Sequence, residues 1–285
     1  MNKIFDCFNF FNELDILELR LNILNDYVDY FVIVESNVTH TGKPKEFFYE
    51  NNKERFAKFS NKIIHYKVYD TPNDFINLPQ SNDQTVNLIY SFIEKQHNRF
   101  NRNYQPNYGR DFYQKECVRR PLINLADDND IIIISDADEI SNPEVIENLK
   151  NFDLNNNIYS LNQNMYYYYF NVLKQKDWFG SRIGLYKNLK TLSFNEVRGD
   201  DSLSIRIPNG GWHFSFQGGT ESIIKKLQSY SANDMANNYV LNNIENNIQN
   251  NIDPFFRGNL TVVPIDETYP KYLINNIEKY KNFLK

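Results

Sequence analysis

The chain has 285 residues, 41% of them hydrophobic and 15% aromatic, enough for one large core or two smaller ones. Its 31 basic and 36 acidic residues leave a formal net charge of −5, which argues against a general nucleic-acid binder; a phosphate-bearing ligand needs local cations or a metal here. No run approaches the roughly 20 apolar residues that span a bilayer, and Asp6, Asn9, Asn12 and Glu13 interrupt any leader-like stretch, so a cytoplasmic protein without a membrane anchor is expected. Heavy use of Asn, Ile, Lys and Tyr suits an AT-rich microbial or viral genome. Cys7 and Cys117 have no Cys or His at ligand spacing and read as two buried free thiols.

Lys3 to Phe8 reads as a first strand. Asn12 followed by Asp15 resembles a capping box, and Leu14, Leu17, Leu21 and Leu24 then recur at helical spacing. Val28 to Glu35 and Ile63 to Tyr69 are further strands; Asp83 to Phe100 and Arg110 to Ala126 are helix-like. Asp130 to Ser135 is a strand, and Ser141-Asn142-Pro143 opens a helix with proline in its first turn. This alternation predicts an α/β fold, a Rossmann-like, mostly parallel sheet flanked by helices. The second half is strand-rich and aromatic, with strands expected at Tyr159–Phe170, Arg182–Tyr186, Leu203–Ile207 and Trp212–Phe216. A helix capped by Thr220 runs to Tyr230, Asn237–Asn251 is a frayed helix or a loop, and Tyr269–Leu284 is an amphipathic tail helix. No repeat or linker divides the chain.

The most informative stretch is Ile131-Ile132-Ile133-Ile134-Ser135-Asp136-Ala137-Asp138-Glu139. A β-branched run without polar interruption fits a strand buried on both faces. It ends at close carboxylates, which repel unless a cation or proton sits between them. Hard divalent cations prefer oxygen ligands and commonly also hold substrate phosphates. In open α/β sheets ligands lie beyond the carboxyl ends of the strands, so Asp136 and Asp138 suggest a metal-bound phosphate ligand. A solvated turn, with Asp136 capping the next helix, is the alternative at this point. The polar loop after the second strand, Glu35-Ser36-Asn37-Val38-Thr39-His40-Thr41-Gly42-Lys43-Pro44-Lys45, falls where nucleotides bind in such sheets. Gly42 permits a tight turn and Lys43 or Lys45 can meet a phosphate; a surface turn with solvated lysines is the alternative.

Three ordered blocks resemble glycosyltransferase family 17. The first is Asp6-Cys7-Phe8, Phe11-Asn12-Glu13-Leu14-Asp15, Leu19-Arg20-Leu21, Phe31-Val32-Ile33-Val34-Glu35-Ser36-Asn37 and Thr39-His40-Thr41-Gly42-Lys43. The second is Asp127-Asp128 with Ile133 to Ile140, and the third is Gly211-Trp212-His213-Phe214-Ser215 followed by Glu221. The resemblance implies a single GT-A-type domain, with a nucleotide-sugar half over 1–150 and an acceptor half over 151–285. It implies inverting transfer of a sugar, N-acetylglucosamine first among the candidates, from a UDP-sugar to a glycan, glycolipid or glycoprotein hydroxyl. It further implies Mn²⁺ (or Mg²⁺) at Asp136 and Asp138, a divalent cation being the Lewis acid that suits a diphosphate leaving group. His213 is the candidate third ligand or a diphosphate contact; a core histidine is its structural alternative. On this reading the donor side comprises Glu35, His40, Thr41, Gly42, Lys43, Arg119, Asp136, Ala137, Asp138 and Trp212, with Arg198 and Lys226 as further phosphate candidates. Inversion needs a carboxylate base: Glu221 leads, with Asp201 and Asp200 next. The segment Ser229-Tyr230-Ser231-Ala232-Asn233-Asp234 lacks the His that the family tends to carry there. The competing readings are a metal-dependent phosphohydrolase and a non-catalytic sugar-binding module on the same fold.

Overall fold

The structure, a computed structural model, describes residues 2–95 and 106–285. One sheet of nine strands runs through it: β1 Ile4–Asn9, β2 Tyr30–Ser36, β3 Ile63–Val68, β4 Ile131–Asp136, β5 Glu139–Ser141, β6 Tyr159–Tyr167, β7 Val172–Leu185, β8 Ile205–Ser215 and β9 Thr261–Val262. The order is β3-β2-β1-β4-β7-β6-β8-β5, with β9 on β7. β3, β2, β1 and β4 are mutually parallel, and β7 joins β4 antiparallel. The carboxyl ends of β1, β2 and β4 therefore share one edge, where the Asp-x-Asp sequence emerges.

The isoleucine run behaves as a doubly buried strand should. Ile131 and Ile133 enter the core beside Leu17, Leu21 and Leu24 of the helix Leu14–Leu24. Ile132 and Ile134 face the opposite layer with Ile89, Phe112 and Tyr113, from the helices Gln84–Lys95 and Pro106–Glu116. A third core, in the C-terminal half, joins Tyr167 and Phe216 to Ile223 and Leu227 of the helix Gly219–Ser229 and to Ile244 of the helix Asn238–Gln249.

Several local expectations are corrected. Helix Leu14–Leu24 has Glu13, not Asn12, at its N-cap, with no side-chain cap; Glu13 Oε2 instead accepts from Asn12 N at 3.1 Å. The helix expected over Asp83–Phe100 is seen to Lys95; residues 96–100 lie outside the described residues. The one expected from Arg110 is seen from Pro106, the first described residue after 105, and divides into Pro106–Glu116 and Arg119–Leu125. Pro121 has no N–H to offer the Cys117 carbonyl, so the chain restarts with Pro121 in a new first turn. The two strands expected around Pro208-Asn209-Gly210 are one, β8, because positive φ at Asn209 and Gly211 absorbs the irregularity without ending the pairing. Helix Gly219–Ser229 begins after Gly218 (φ 92°) rather than at Thr220. Asn237 accepts from Val240 N at 3.1 Å, which caps the Asn-rich segment as a true helix. The tail divides into a short helix, Lys271–Asn275, and a 3₁₀ segment, Ile277–Phe283.

Candidate functional site

A cavity of about 410 Å³ opens at the carboxyl ends of β1, β2 and β4. Asn9, Phe10 and Phe11 follow β1; Val38, Thr39, His40 and Lys45 come from the loop after β2; Asp136, Ala137 and Asp138 end β4. The helix Pro106–Glu116 presents Asp111, Gln114 and Lys115, spaced three and four apart and therefore on one face. His213 and Ser215 of β8, Lys226, and the segment Ser229–Ala232 close the far side, with Tyr167, Phe216, Phe255 and Arg257.

Charges alternate across this floor. Asp136 Oδ2 accepts from Arg198 Nη2 at 3.0 Å and Oδ1 lies 3.6 Å from Lys115 Nζ. The same Arg198 Nη2 donates to Glu139 Oε1 at 2.6 Å. Asp138 Oδ2 accepts from Lys226 Nζ at 2.7 Å, and Oδ1 lies 3.3 Å from His213 Nε2. Burial works against ionised carboxylates, but Lys226 and His213 outweigh it and hold Asp138 well below the usual range. Asp136 is likewise held down against burial, by Arg198 and Lys115. Glu139, fully buried on β5, is pushed up by burial despite Arg198. Strand alternation alone would point it away from the side of Asp136 and Asp138; the short turn at Ala137-Asp138 brings Asp136 and Glu139 onto one guanidinium.

Strand alternation fixes the third block. His213 pairs in register with Glu139 and faces the cavity, while Trp212 and Phe214 enter the core on the opposite face. Trp212 is thus not a donor-side residue; its Nε1 donates to the Thr268 carbonyl at 3.1 Å. Trp178 of β7 packs against the His213 ring at a tilt of 47°, centroids 4.4 Å apart.

Of the remaining expected residues, His40, Ala137 and Lys45 line the cavity, whereas Glu35, Thr41, Gly42 and Lys43 do not. Glu35 is buried beneath the loop as its anchor, accepting from Phe48 N and from Tyr49 N at 3.3 Å and lying 3.0 Å from His65 Nε2. Gly42 (φ +82°) turns the loop over Arg110, where a Cβ would meet the guanidinium carbon at 2.9 Å. Arg119 is buried away from the cavity, bound to Glu116 at 2.6 Å and to the Lys190 and Leu192 carbonyls. None of the proposed bases reaches the cavity. Glu221 is exposed on the outer side of its helix, Asp200 accepts from Ser202 N at 2.9 Å, and Asp201 pairs with Arg182 and Arg206. The cavity's carboxylates outside the Asp-x-Asp pair are Asp111 and Glu13. Asp111 accepts from Ser231 Oγ at 2.8 Å and lies 3.7 Å from His40 Nε2.

Several cavity-lining atoms are buried without a hydrogen-bond partner: His40 Nδ1, Asp111 Oδ1, His213 Nδ1 and Tyr230 Oη. Buried polar atoms are rarely left unpaired, so such a set marks a place prepared for polar ligand groups. The donor set also fits a hard divalent ion. Asp138 Oδ1 and His213 Nε2 are 3.3 Å apart, near the roughly 3 Å between adjacent ligands of an octahedral ion with bonds of about 2.1 Å. Among the described residues no group of three or more His, Cys, Asp or Glu converges as a metal cluster.

A strand-end carboxylate pair thus lies among cations in a cavity at the carboxyl edge of the parallel strands. The sequence profile of glycosyltransferase family 17 matches residues 1–82 and 80–259; the chain belongs to that family and is a glycosyltransferase, acting between a sugar donor and an acceptor. A search of curated proteins gave no match. Among solved structures the chain is similar to a 4-diphosphocytidyl-2C-methyl-D-erythritol synthase, at 12% identity and a TM-score of 0.35, over 77% of this chain and 90% of that one. Among the described residues no helix is long and apolar enough to cross a membrane.

Proposed function

We propose that the chain transfers N-acetylglucosamine, with inversion, from UDP-N-acetylglucosamine to a hydroxyl of a glycan, glycolipid or glycoprotein. The observation that carries this reading is the Asp136–Asp138 strand end, set among Lys115, Arg198, His213 and Lys226 at the rim of the family's sheet. Asp138 and His213 would hold Mn²⁺ or Mg²⁺, with Asp136 beside them; the bound ion supplies Lewis-acid neutralisation of the departing diphosphate. Lys45, Lys115 and Lys226 line the same cavity and provide the local positive charge that the acidic chain otherwise lacks.

The unpaired His40 Nδ1, in the part of the cavity lined by Val38 and Phe10, suits the nucleoside end of the donor. Tyr167, Phe216 and Phe255 form an aromatic wall suited to the apolar face of a sugar ring. A base must come within hydrogen-bond reach of the acceptor hydroxyl, which favours Asp111 or Glu13 over the exposed Glu221.

The test is UDP release from UDP-N-acetylglucosamine, UDP-N-acetylgalactosamine, UDP-glucose and UDP-galactose, with Mn²⁺, with Mg²⁺ and with a chelator. Metal-dependent turnover or slow hydrolysis, largest for UDP-N-acetylglucosamine, is expected. Failure to bind or cleave any UDP-sugar would sink the reading.

A further inference from the structure

Lys226 occupies an unusual place. Its ammonium lies 2.7 Å from Asp138 Oδ2, on the carboxylate whose other oxygen faces His213. It also lies 3.3 Å from Glu13 Oε1, on the loop after β1. The side chain is about three-quarters out of water, and its ammonium sits 5.8 Å from the centre of the Phe216 ring. Both carboxylates and Phe216 line the cavity. The other cations on the strand end are tethered more firmly or differently. Arg198 is shared between Asp136 and Glu139. Lys115 is shared between Asp111, at 3.3 Å, and Asp136. His213 is itself a common metal-ligand type.

An ion seated on Asp138 meets Lys226 as a competing positive charge. A lysine is a compact charge on a four-carbon stem, able to change partners without backbone movement. Glu13 gives it a second seat facing the same cavity. There it meets the negative charge that a nucleoside diphosphate brings.

We propose that Lys226 is a resident counter-ion for Asp138 that is handed over to the donor diphosphate when metal and donor bind. The proposal rests on the metal-dependent UDP-sugar reading and adds an ordering device to it. Without nucleotide, Lys226 competes with the metal and keeps its affinity low. With nucleotide present, the ammonium has a new anionic partner and Asp138 becomes available. Metal and nucleotide then strengthen each other's binding through Lys226, in addition to any direct contact between them, and this coupling is reciprocal.

The test is Mn²⁺ binding, followed by electron paramagnetic resonance of the free ion, to wild type, Lys226→Gln and Lys226→Arg, each with and without UDP. Removing the competing charge is expected to tighten nucleotide-free Mn²⁺ binding about tenfold in Lys226→Gln, and to weaken UDP binding in the presence of Mn²⁺. Lys226→Arg, which keeps the charge, is expected to stay near wild type. A structural lesion moves the first quantity the other way, so unchanged or weaker nucleotide-free Mn²⁺ binding in Lys226→Gln overturns the handover while leaving the metal reading intact. No Mn²⁺ binding by wild type even with UDP overturns the metal reading and the handover together. Circular dichroism of each variant confirms that folded protein is compared.

Discussion

Arg20 and Asp6 form a bidentate pair beneath the site, Nη2 to Oδ1 at 2.5 Å and Nε to Oδ2 at 2.7 Å, with both side chains wholly out of water. The guanidinium is not spent on Asp6 alone. Nη1 donates to the carbonyls of Asp136 at 3.0 Å, Ala137 at 3.2 Å and Glu139 at 2.7 Å, and Nη2 donates to Ser135 Oγ at 2.6 Å. The pair thus pegs the backbone that delivers the Asp-x-Asp carboxylates. Arg20→Met leaves Asp6 buried without its partner, and losing one member of such a pair destabilises by about 3–5 kcal/mol. Urea unfolding is expected to show that loss, with the Asp6→Asn/Arg20→Met double variant less damaged than the sum of the singles. A loss under about 1 kcal/mol in Arg20→Met would refute the peg.

Asp138 and Glu221 separate sharply in expected effect. Asp138→Asn removes a carboxylate that faces the cavity as well as Lys226 and His213, and kcat/KM is expected to fall at least about a hundredfold, the scale of losing one electrostatic partner at a developing charge. Glu221→Gln alters an exposed residue outside the cavity and is expected to leave kcat/KM essentially unchanged. A large loss in Glu221→Gln with the fold intact would return that residue to the role of base.

The contrast shows what a sequence makes legible. The Asp136–Asp138 end is readable because an uninterrupted β-branched run followed by carboxylates has a natural place in a parallel sheet, buried on both faces. His213 is readable through strand alternation, which the same rule uses to send Trp212 to the core. Glu221 falls outside the cavity because a helix's rotation is set by its buried side. Ile223 and Leu227 are that side here, and Glu221, two residues before Ile223 at about 100° per residue, faces away. Asp111 and Lys115 share a helical face, but only the packing of their helix on β1 and β2 turns that face to the cavity. Arg119 looks like a phosphate ligand in sequence; the buried Glu116 carboxylate three residues earlier claims it first.

Asp253 anchors the loop that carries Phe255 and Arg257 to the cavity wall. Its carboxylate accepts from Phe255 N at 2.8 Å and pairs with Lys174 at 2.7 Å and Arg257 at 3.0 Å. Burial raises its pKa, but the Arg257 and Lys174 hydrogen bonds prevail and the net shift is downward. A carboxylate with a lowered folded-state pKa stabilises the fold above its unfolded pKa, near 3.8, and loses that contribution as pH falls through the folded value. Asp253→Asn is therefore expected to cost about 2 kcal/mol at pH 7, the scale of hydrogen bonds to a charged group. The gap from wild type should narrow in denaturant titrations below pH 4. A gap that stays constant down to pH 2 would show that the charge is not what stabilises this loop.

Cys7 and Cys117 are both fully buried, Cys7 on β1 and Cys117 just after the helix Pro106–Glu116. Burial pushes the Cys117 thiol up to about 12 and lifts Cys7 well above its ordinary value. The thiolate is the reactive form, so neither side chain is expected to be alkylated by iodoacetamide at pH 8 in the native protein. Mass spectrometry should show two adducts after unfolding in denaturant and none before. Rapid native labelling at Cys117 would mean that the layer around Phe112 and Tyr113 opens readily.

Gly211 supplies the closest backbone approach at the site. It pairs with Ser141 across β5 and β8 at φ +142°, and a Cβ there would lie 2.1 Å from the Ile140 carbonyl oxygen. No side-chain rotation relieves that contact, because the obstacle is backbone. Gly211→Ala must therefore separate β5 from β8, and that pairing sets Glu139 opposite His213. The positive φ adds strain of about 1–3 kcal/mol for a residue with a side chain, before the lost strand pairing is counted. A fall in stability of at least about 3 kcal/mol in urea unfolding is expected, larger than typical single substitutions. Protein that still folds should lose donor affinity, because His213 and Asp138 no longer sit 3.3 Å apart. Gly210→Ala is the companion test: its Cβ would approach the Leu161 backbone at 2.7 Å, on the β6 side. Equal loss of donor binding per unit of lost stability in the two variants would show that the β5–β8 contact has no special hold on the site.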